Sequence, residues 1–141
     1  MELKKPRELD VGVPLIARIL SRAELEAHLT ACFPDRRLVL LKSTAKWCGP
    51  CQQIQPVLEK LLFKWQQHVP LCLLVFDVDE APELAEDFKI ARLPTFRWLL
   101  PETPGLEHWD GELSLVGIAG FTQWFENVLT SFLQLTSAIV A

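Results

Sequence analysis

The chain predicts an α/β fold, one central sheet covered by helices on both faces. Three observations carry this. Two apolar runs of strand length, at 38–41 and 71–78, read as buried strands. Stretches with apolar residues at helical spacing alternate with them. A strand pair near the C-terminal end then reads as a hairpin. Helices alternating with strands, closed by a hairpin, imply a layered α/β sheet.

Residues 1–12 read as a flexible N-terminal arm ahead of one domain, 13–141. A first strand is expected at 13–20. Ser21 followed by Glu24 is a capping-box signature. The helix it opens carries Leu25, His28 and Leu29 along one side and should end near Phe33 and Pro34. Residues 37–44 read as the buried central strand. A long helix is expected over 48–68, kinked at Pro56, because proline has no N–H to give the preceding turn. Its apolar residues Ile54, Val57, Leu58, Leu61, Leu62 and Trp65 follow helical spacing. The run at 71–78 reads as a parallel strand, 82–88 as a short helix and 95–100 as a strand. A further strand is expected at 112–116, and 121–133 closes the domain as an amphipathic helix.

Composition excludes several classes. A length of 141 residues fits one domain, and half the residues are hydrophobic, enough for a core. The net charge of −4 is spread along the chain with no basic patch, so nucleic acid is not an expected partner. Four cysteines do not make a disulfide framework at this size. The first 14 residues are charged and lack the apolar segment of a secretory signal. Glu2, Glu8 and Asp10 also argue against an organelle transit peptide, although a chain already trimmed of one would look the same. No membrane association is expected: no apolar run reaches spanning length, and the apolar tail at 135–141 is too short.

Chemistry concentrates in Trp47, Cys48, Gly49, Pro50 and Cys51. Two cysteines separated by two residues can close a small disulfide ring and reopen it. A strand lies just upstream and a helix begins at the motif. A thiol at a helix N-terminus meets unpaired N–H groups and the positive end of the dipole. That setting favours thiolate, the species that attacks disulfides. The chemistry implied is thiol–disulfide exchange. An inert pair of core cysteines is the bland alternative. A zinc half-site is the other, but there is no second CxxC and no suitably spaced histidine pair. No metal and no bound cofactor is expected.

The heptad from Ala45 and Lys46 through Cys51 resembles the thioredoxin active-site pattern. Further landmarks follow in that family's order. Pro56 resembles the proline within the active-site helix. Phe76-Asp77-Val78-Asp79 resembles the end of the third strand. Leu93-Pro94-Thr95-Phe96 resembles the segment carrying a cis-proline beside the site, and Val116-Gly117 resembles a fourth landmark before the last helix. The likeness covers 13–135. It implies a thioredoxin fold, with a central mixed β-sheet flanked by helices on both faces.

The resemblance also implies roles. Cys48 is the nucleophile and is expected nearer solvent. Cys51 is the resolving thiol that attacks the mixed disulfide. Gly49 and Pro50 set the redox poise toward the reducing end, and proline also suits a first helical turn. Trp47 presents a flat apolar surface to partners, unless it is a core tryptophan. Asp79 accepts the indole N–H, unless it is a solvated carboxylate. Pro94 is cis, and the Leu93 backbone can take a substrate peptide as an added strand. The function implied is a protein-disulfide reductase and electron carrier, monomeric, without cofactor. Its expected partners are oxidised proteins, peroxiredoxins among them, and a thioredoxin reductase or other thiol donor. The expected compartment is reducing and intracellular: the cytoplasm, or the mitochondrial matrix if a transit peptide was removed. The alternative is a thioredoxin-fold binding or chaperone module whose redox activity is secondary.

The chain also departs from the family. Lys42 stands where thioredoxins carry a buried aspartate, Val75 where a lysine would neighbour it, and Thr44 at an aromatic position. Lys42 sits mid-strand in an apolar run, so its side chain should point into the core beneath Cys51. Charged, it would keep the thiols ionised; neutral, it could accept the Cys51 proton. The alternative is a stem that snorkels to solvent. Cys32 and Cys72 read as small buried hydrophobes, with a regulatory or dimer disulfide as the other reading. The segment 101–111 is longer than the family's hairpin turn, either a partner-specific loop or a decorated turn.

Overall fold

The computed structural model describes residues 14–99 and 109–140, with only the backbone described over 109–116 and 135–140. The arm expected at 1–12 and most of the 101–111 loop lie outside the described residues. Five strands form one mixed sheet: β1 Ile16–Arg18, β2 Leu38–Thr44, β3 Leu71–Asp77, β4 Thr95–Leu99 and β5 Trp109–Glu112. Their spatial order is β1-β3-β2-β4-β5. β3 runs parallel to both β1 and β2, whereas β4 is antiparallel to both β2 and β5. The helices are α1 Arg22–Cys32, α2 Gly49–Trp65, α3 Pro82–Asp87 and α4 Leu113–Val140.

Strand side chains alternate between faces, and the two cores follow that period. Leu38, Leu40, Leu73, Val75, Phe96 and Trp98 meet α2 and α4 through Ile54, Leu58, Phe121 and Phe125. Val39, Leu41, Cys72, Leu74 and Phe76 meet α1 and α3 through Leu25, Cys32 and Leu84. β2 and β3 are buried on both faces, which is why their stretches 38–41 and 71–76 are apolar without alternation. α4 is held to β4 by rings: Phe96–Phe121 centroids lie 4.5 Å apart and Trp98–Phe125 5.3 Å. Each such fully buried ring contributes about 1.5–3 kcal/mol by area. That anchorage fixes β4, and with it the Leu93–Pro94 turn immediately before it.

Most expected elements appear within a few residues. The first strand is shorter than 13–20, but its pairing extends beyond β1 through Leu73 N–H to Leu15 O and Ile19 N–H to Val75 O. Ser21 caps α1, its hydroxyl accepting the Glu24 N–H at 3.1 Å. The Glu24 carboxylate reaches back to Leu20 N–H, one residue earlier than the capping box predicts. α2 stops at Trp65, short of the expected 68, and the Val69 N–H closes onto the Trp65 carbonyl.

The strand expected at 112–116 lies at Trp109–Glu112, and residues from Leu113 onward are helical. β4 begins at Thr95, whose register partner is Glu112, so there is no strand backbone for 113–116 to pair with. The four-residue run Leu113-Ser114-Leu115-Val116 is too short for periodicity to separate helix from strand. Gly117, at φ 69° and ψ −177°, then breaks the helix before the amphipathic stretch expected from 121. That left-handed conformation suits glycine because it has no Cβ.

Candidate functional site

The site forms where β2 ends and α2 begins. After Thr44 the chain turns through buried Ala45, closed by Cys48 N–H to Ala45 O at 3.1 Å. Cys48 leaves the extended region as the N-cap of α2, and its Sγ accepts the Cys51 N–H at 3.2 Å. Cys48 and Cys51 are joined as a disulfide, with Cα atoms 5.3 Å apart. Their exposures are 4% and 1%, so Cys48 is nearer solvent by a small margin only. Gly49 and Pro50 are exposed, with Pro50 in the first turn, where its missing N–H costs nothing. The N-cap position places the Cys48 sulfur at the positive end of α2, a setting that favours thiolate once the disulfide is opened.

A surface groove of about 610 Å³ runs past the disulfide, lined by Trp47, Cys48, Pro50, Val78, Ile90 and Leu93 among others. Trp47 is 71% exposed, not a core residue. Its indole N–H donates to Asp79 Oδ2 at 2.9 Å. Asp79 is held in place by a buried neighbour, Asp77, which the sequence marked only as part of a family landmark and without a role. Asp77 Oδ1 accepts the backbone N–H groups of Asp79 at 2.8 Å and Glu80 at 3.3 Å. Its signal in the sequence is an aspartate at the end of a buried strand, where side-chain acceptors satisfy the N–H groups of the turn that follows. On the groove's other side the Leu93–Pro94 bond is cis. The Leu93 side chain packs with Val78 against Ala45, Cys48 and Cys51.

Lys42 is buried, 2% exposed. Its Nζ donates to the Cys51 carbonyl at 3.0 Å and to Gln55 Oε1 at 2.6 Å. Gln55 Nε2 in turn donates to Glu59 Oε2 at 3.0 Å. The stem does not snorkel to solvent. Gln55 and Glu59 were not singled out from the sequence. Cys51, Gln55 and Glu59 are four apart and so share a helix face, and a buried lysine needs acceptors on such a face. Val75 is the register partner of Lys42 on β3 and offers it no charge.

Burial pulls the Lys42 amine down from 10.5 to about 8, and the Glu59 carboxylate opposes that shift. In the unfolded chain Lys42 keeps its proton up to about 10.5. Between those values the unfolded state binds more protons, so the Lys42 contribution to stability rises with pH; below about 8 the full cost of burying the ammonium is carried. Lys42→Met is therefore expected to stabilise the oxidised protein by about 1–3 kcal/mol near neutral pH. The gain should shrink as pH approaches about 10. Urea midpoints of both proteins across that range check this, and a gap independent of pH contradicts it. Taking the difference between the two proteins cancels other groups that titrate there.

Cys32 and Cys72 are both buried and not disulfide-bonded. The Cys72 thiol is pushed far above its ordinary range, first by its hydrogen bond with Cys32 and then by burial. Cys72 Sγ also contacts the Pro14 carbonyl at 3.6 Å. Such a thiol stays protonated and poorly nucleophilic. Among the described residues no group of histidine, cysteine and carboxylate side chains could hold a metal ion, and no helix is long and apolar enough to cross a membrane.

The sequence profile of the family described as Thioredoxin matches residues 17–122. Thioredoxin domain-containing protein 8 of Mus musculus is 38% identical over 83 residues, 59% of this chain and 61% of that one. The crystal structure of a poplar wild-type thioredoxin h is 31% identical, with a TM-score of 0.56 over 62% of this chain and 76% of that one. Thioredoxin from Trypanosoma brucei brucei superposes over 86% of this chain and 94% of that one, TM-score 0.65; at 18% identity this is a likeness of fold alone. The chain spans between 20% and 62% of the length of curated relatives that it matches.

Proposed function

Because this chain belongs to the thioredoxin family, we propose that it is a thiol–disulfide oxidoreductase that reduces protein disulfides through Cys48 and Cys51. The observation that carries the reading is a closed Cys48–Cys51 disulfide at the N-terminus of α2, beside an open apolar groove. In the reduced protein the Cys48 thiolate attacks one sulfur of a substrate disulfide. A mixed disulfide forms and the other substrate sulfur leaves as a thiolate that takes a proton. Cys51 then loses its proton and attacks Cys48 Sγ. The Cys48–Cys51 bond closes, and the substrate departs with both sulfurs reduced. Two electrons move from protein to substrate, and no cofactor is needed.

The groove supplies binding. Exposed Trp47, steadied by Asp79, and Leu93 offer apolar surface on either side of the pair. We assign the Leu93–Pro94 backbone to docking of an extended substrate segment. Gly49 and Pro50 leave the helix start uncovered: a Cβ at Gly49 would meet no atom within 4 Å. Substrates are oxidised proteins, peroxiredoxins among the candidates, and a thioredoxin reductase or another thiol donor reopens the disulfide. The protein works as a monomer in a reducing compartment, cytoplasmic or mitochondrial. Reduction of insulin disulfides by dithiothreitol tests the reading. The protein in catalytic amounts is expected to accelerate it well above the uncatalysed rate, and no acceleration would reject the reductase assignment.

A further inference from the structure

The Lys42 cluster is built as a chain of matched donors and acceptors. An ammonium only donates and a carboxylate only accepts. The one amide orientation that serves both has Gln55 Oε1 toward Lys42 and Nε2 toward Glu59, as found. The chain starts at the backbone of the second cysteine itself, through Lys42 Nζ to Cys51 O. We infer that Gln55 is the positioning residue of a buried acid–base group, holding the Lys42 amine at Cys51 and coupling it to Glu59, so that Lys42 takes the Cys51 proton when the mixed disulfide is resolved. This rests on the dithiol exchange proposed above.

The step balances. The proton of the Cys51 thiol passes to the neutral Lys42 amine, leaving a thiolate and an ammonium. The thiolate attacks Cys48 Sγ. The Cys48–Cys51 bond forms, the Cys48–substrate bond breaks, and the electron pair leaves on the substrate sulfur. That sulfur and the ammonium then exchange the proton with solvent. An amine with its midpoint near 8 is neutral often enough at physiological pH to act as a base, whereas an ordinary lysine is not.

The surroundings explain why this falls to Gln55. The register partners of Lys42 are Val75 on β3 and Phe96 on β4, neither charged. The nearby β3 carboxylate, Asp77, accepts the N–H groups of Asp79 and Glu80. The opposite charge that acts on Lys42 is Glu59 on α2. A glutamate at position 55 would pin the lysine in its charged form. A leucine there would sever the link. The neutral amide leaves the ammonium hydrogen-bonded yet able to give up its proton.

The test follows the Lys42 side-chain nitrogen by NMR in the oxidised protein and, separately, the single-turnover rate of mixed-disulfide resolution against pH. Wild type should show Lys42 titrating near 8. Gln55→Leu and Glu59→Gln should each lower that midpoint by about one unit, because the ammonium loses an acceptor or its counter-charge. Gln55→Glu should raise it by about one unit or more. The double variant Gln55→Glu/Glu59→Gln should bring it back above that of Glu59→Gln. The rising limb of the rate profile should move with each midpoint and vanish in Lys42→Met. Both Gln55 and Glu59 are only half-buried, so the fold should tolerate these changes. A Lys42 midpoint that ignores all the variants overturns the coupling. Midpoints that move while the rate profile stays still overturn the base role. Failure of wild type to reduce insulin would strike the reductase reading instead, and the NMR titration would still decide whether Gln55 couples Lys42 to Glu59.

Discussion

Cys48→Ser is expected to abolish insulin reduction, leaving only the dithiothreitol background. The reaction needs a thiolate at the start of α2, and a serine hydroxyl does not ionise near neutral pH. Oxygen also cannot form the mixed disulfide, so neither half of the exchange can proceed. The substitution is nearly isosteric, and the fold should survive, as a far-ultraviolet spectrum would show. Cys32→Ser and Cys72→Ser serve as contrasts. Both residues are buried in the core between the sheet and α1, away from the groove, so most activity should remain. Activity at the wild-type level in Cys48→Ser would refute the assigned nucleophile.

Cys51→Ser is expected to produce the opposite failure, with attack intact and release lost. Cys48 can still open a substrate disulfide, but the neighbouring thiol that resolves the product is gone, and Cys32 and Cys72 are buried away from the groove. The mixed disulfide should accumulate and appear on non-reducing gels as adducts that a thiol reductant removes. Multiple turnover should fall close to background even though the first encounter is unimpaired. In cell extract the same variant would retain oxidised partners of the protein. If Cys48→Ser captured partners and Cys51→Ser did not, the two roles would be reversed. Their burial does not separate them strongly, since both sulfurs sit in one small cluster with Ala45, Val78 and Leu93. The asymmetry that favours Cys48 is its place as N-cap of α2 and its position on the groove wall.

The parts legible in the sequence were those in which local pattern and tertiary environment agree. β2 and β3 are buried on both faces, and their apolar runs announced them. The dithiol was legible because its spacing, the strand before it and the helix after it all point to one chemistry. The inward direction of Lys42 was legible from its place between apolar neighbours: it shares a sheet face with Leu38 and Leu40, two and four residues before it. What the sequence hid depends on contacts between distant segments. The hairpin strand is limited by where β4 begins, which no local pattern at 112–116 records. Gln55 looks like an ordinary polar helix residue until the lysine thirteen positions earlier is placed against it. The low exposure of Cys48 comes from Val78 and Leu93, which reach the motif only through the folded sheet.

Reduction through Cys48 and Cys51 alone requires that two electrons per substrate disulfide come from this pair. The most direct measurement mixes fully reduced protein with an oxidised protein substrate in the absence of any other thiol, quenches with an alkylating agent, and maps the cysteines by mass spectrometry. Each substrate disulfide reduced should be matched by one Cys48–Cys51 disulfide, with Cys32 and Cys72 recovered as alkylated thiols after denaturation. Substrate left oxidised, or reduction balanced by a disulfide elsewhere in the chain, would contradict it.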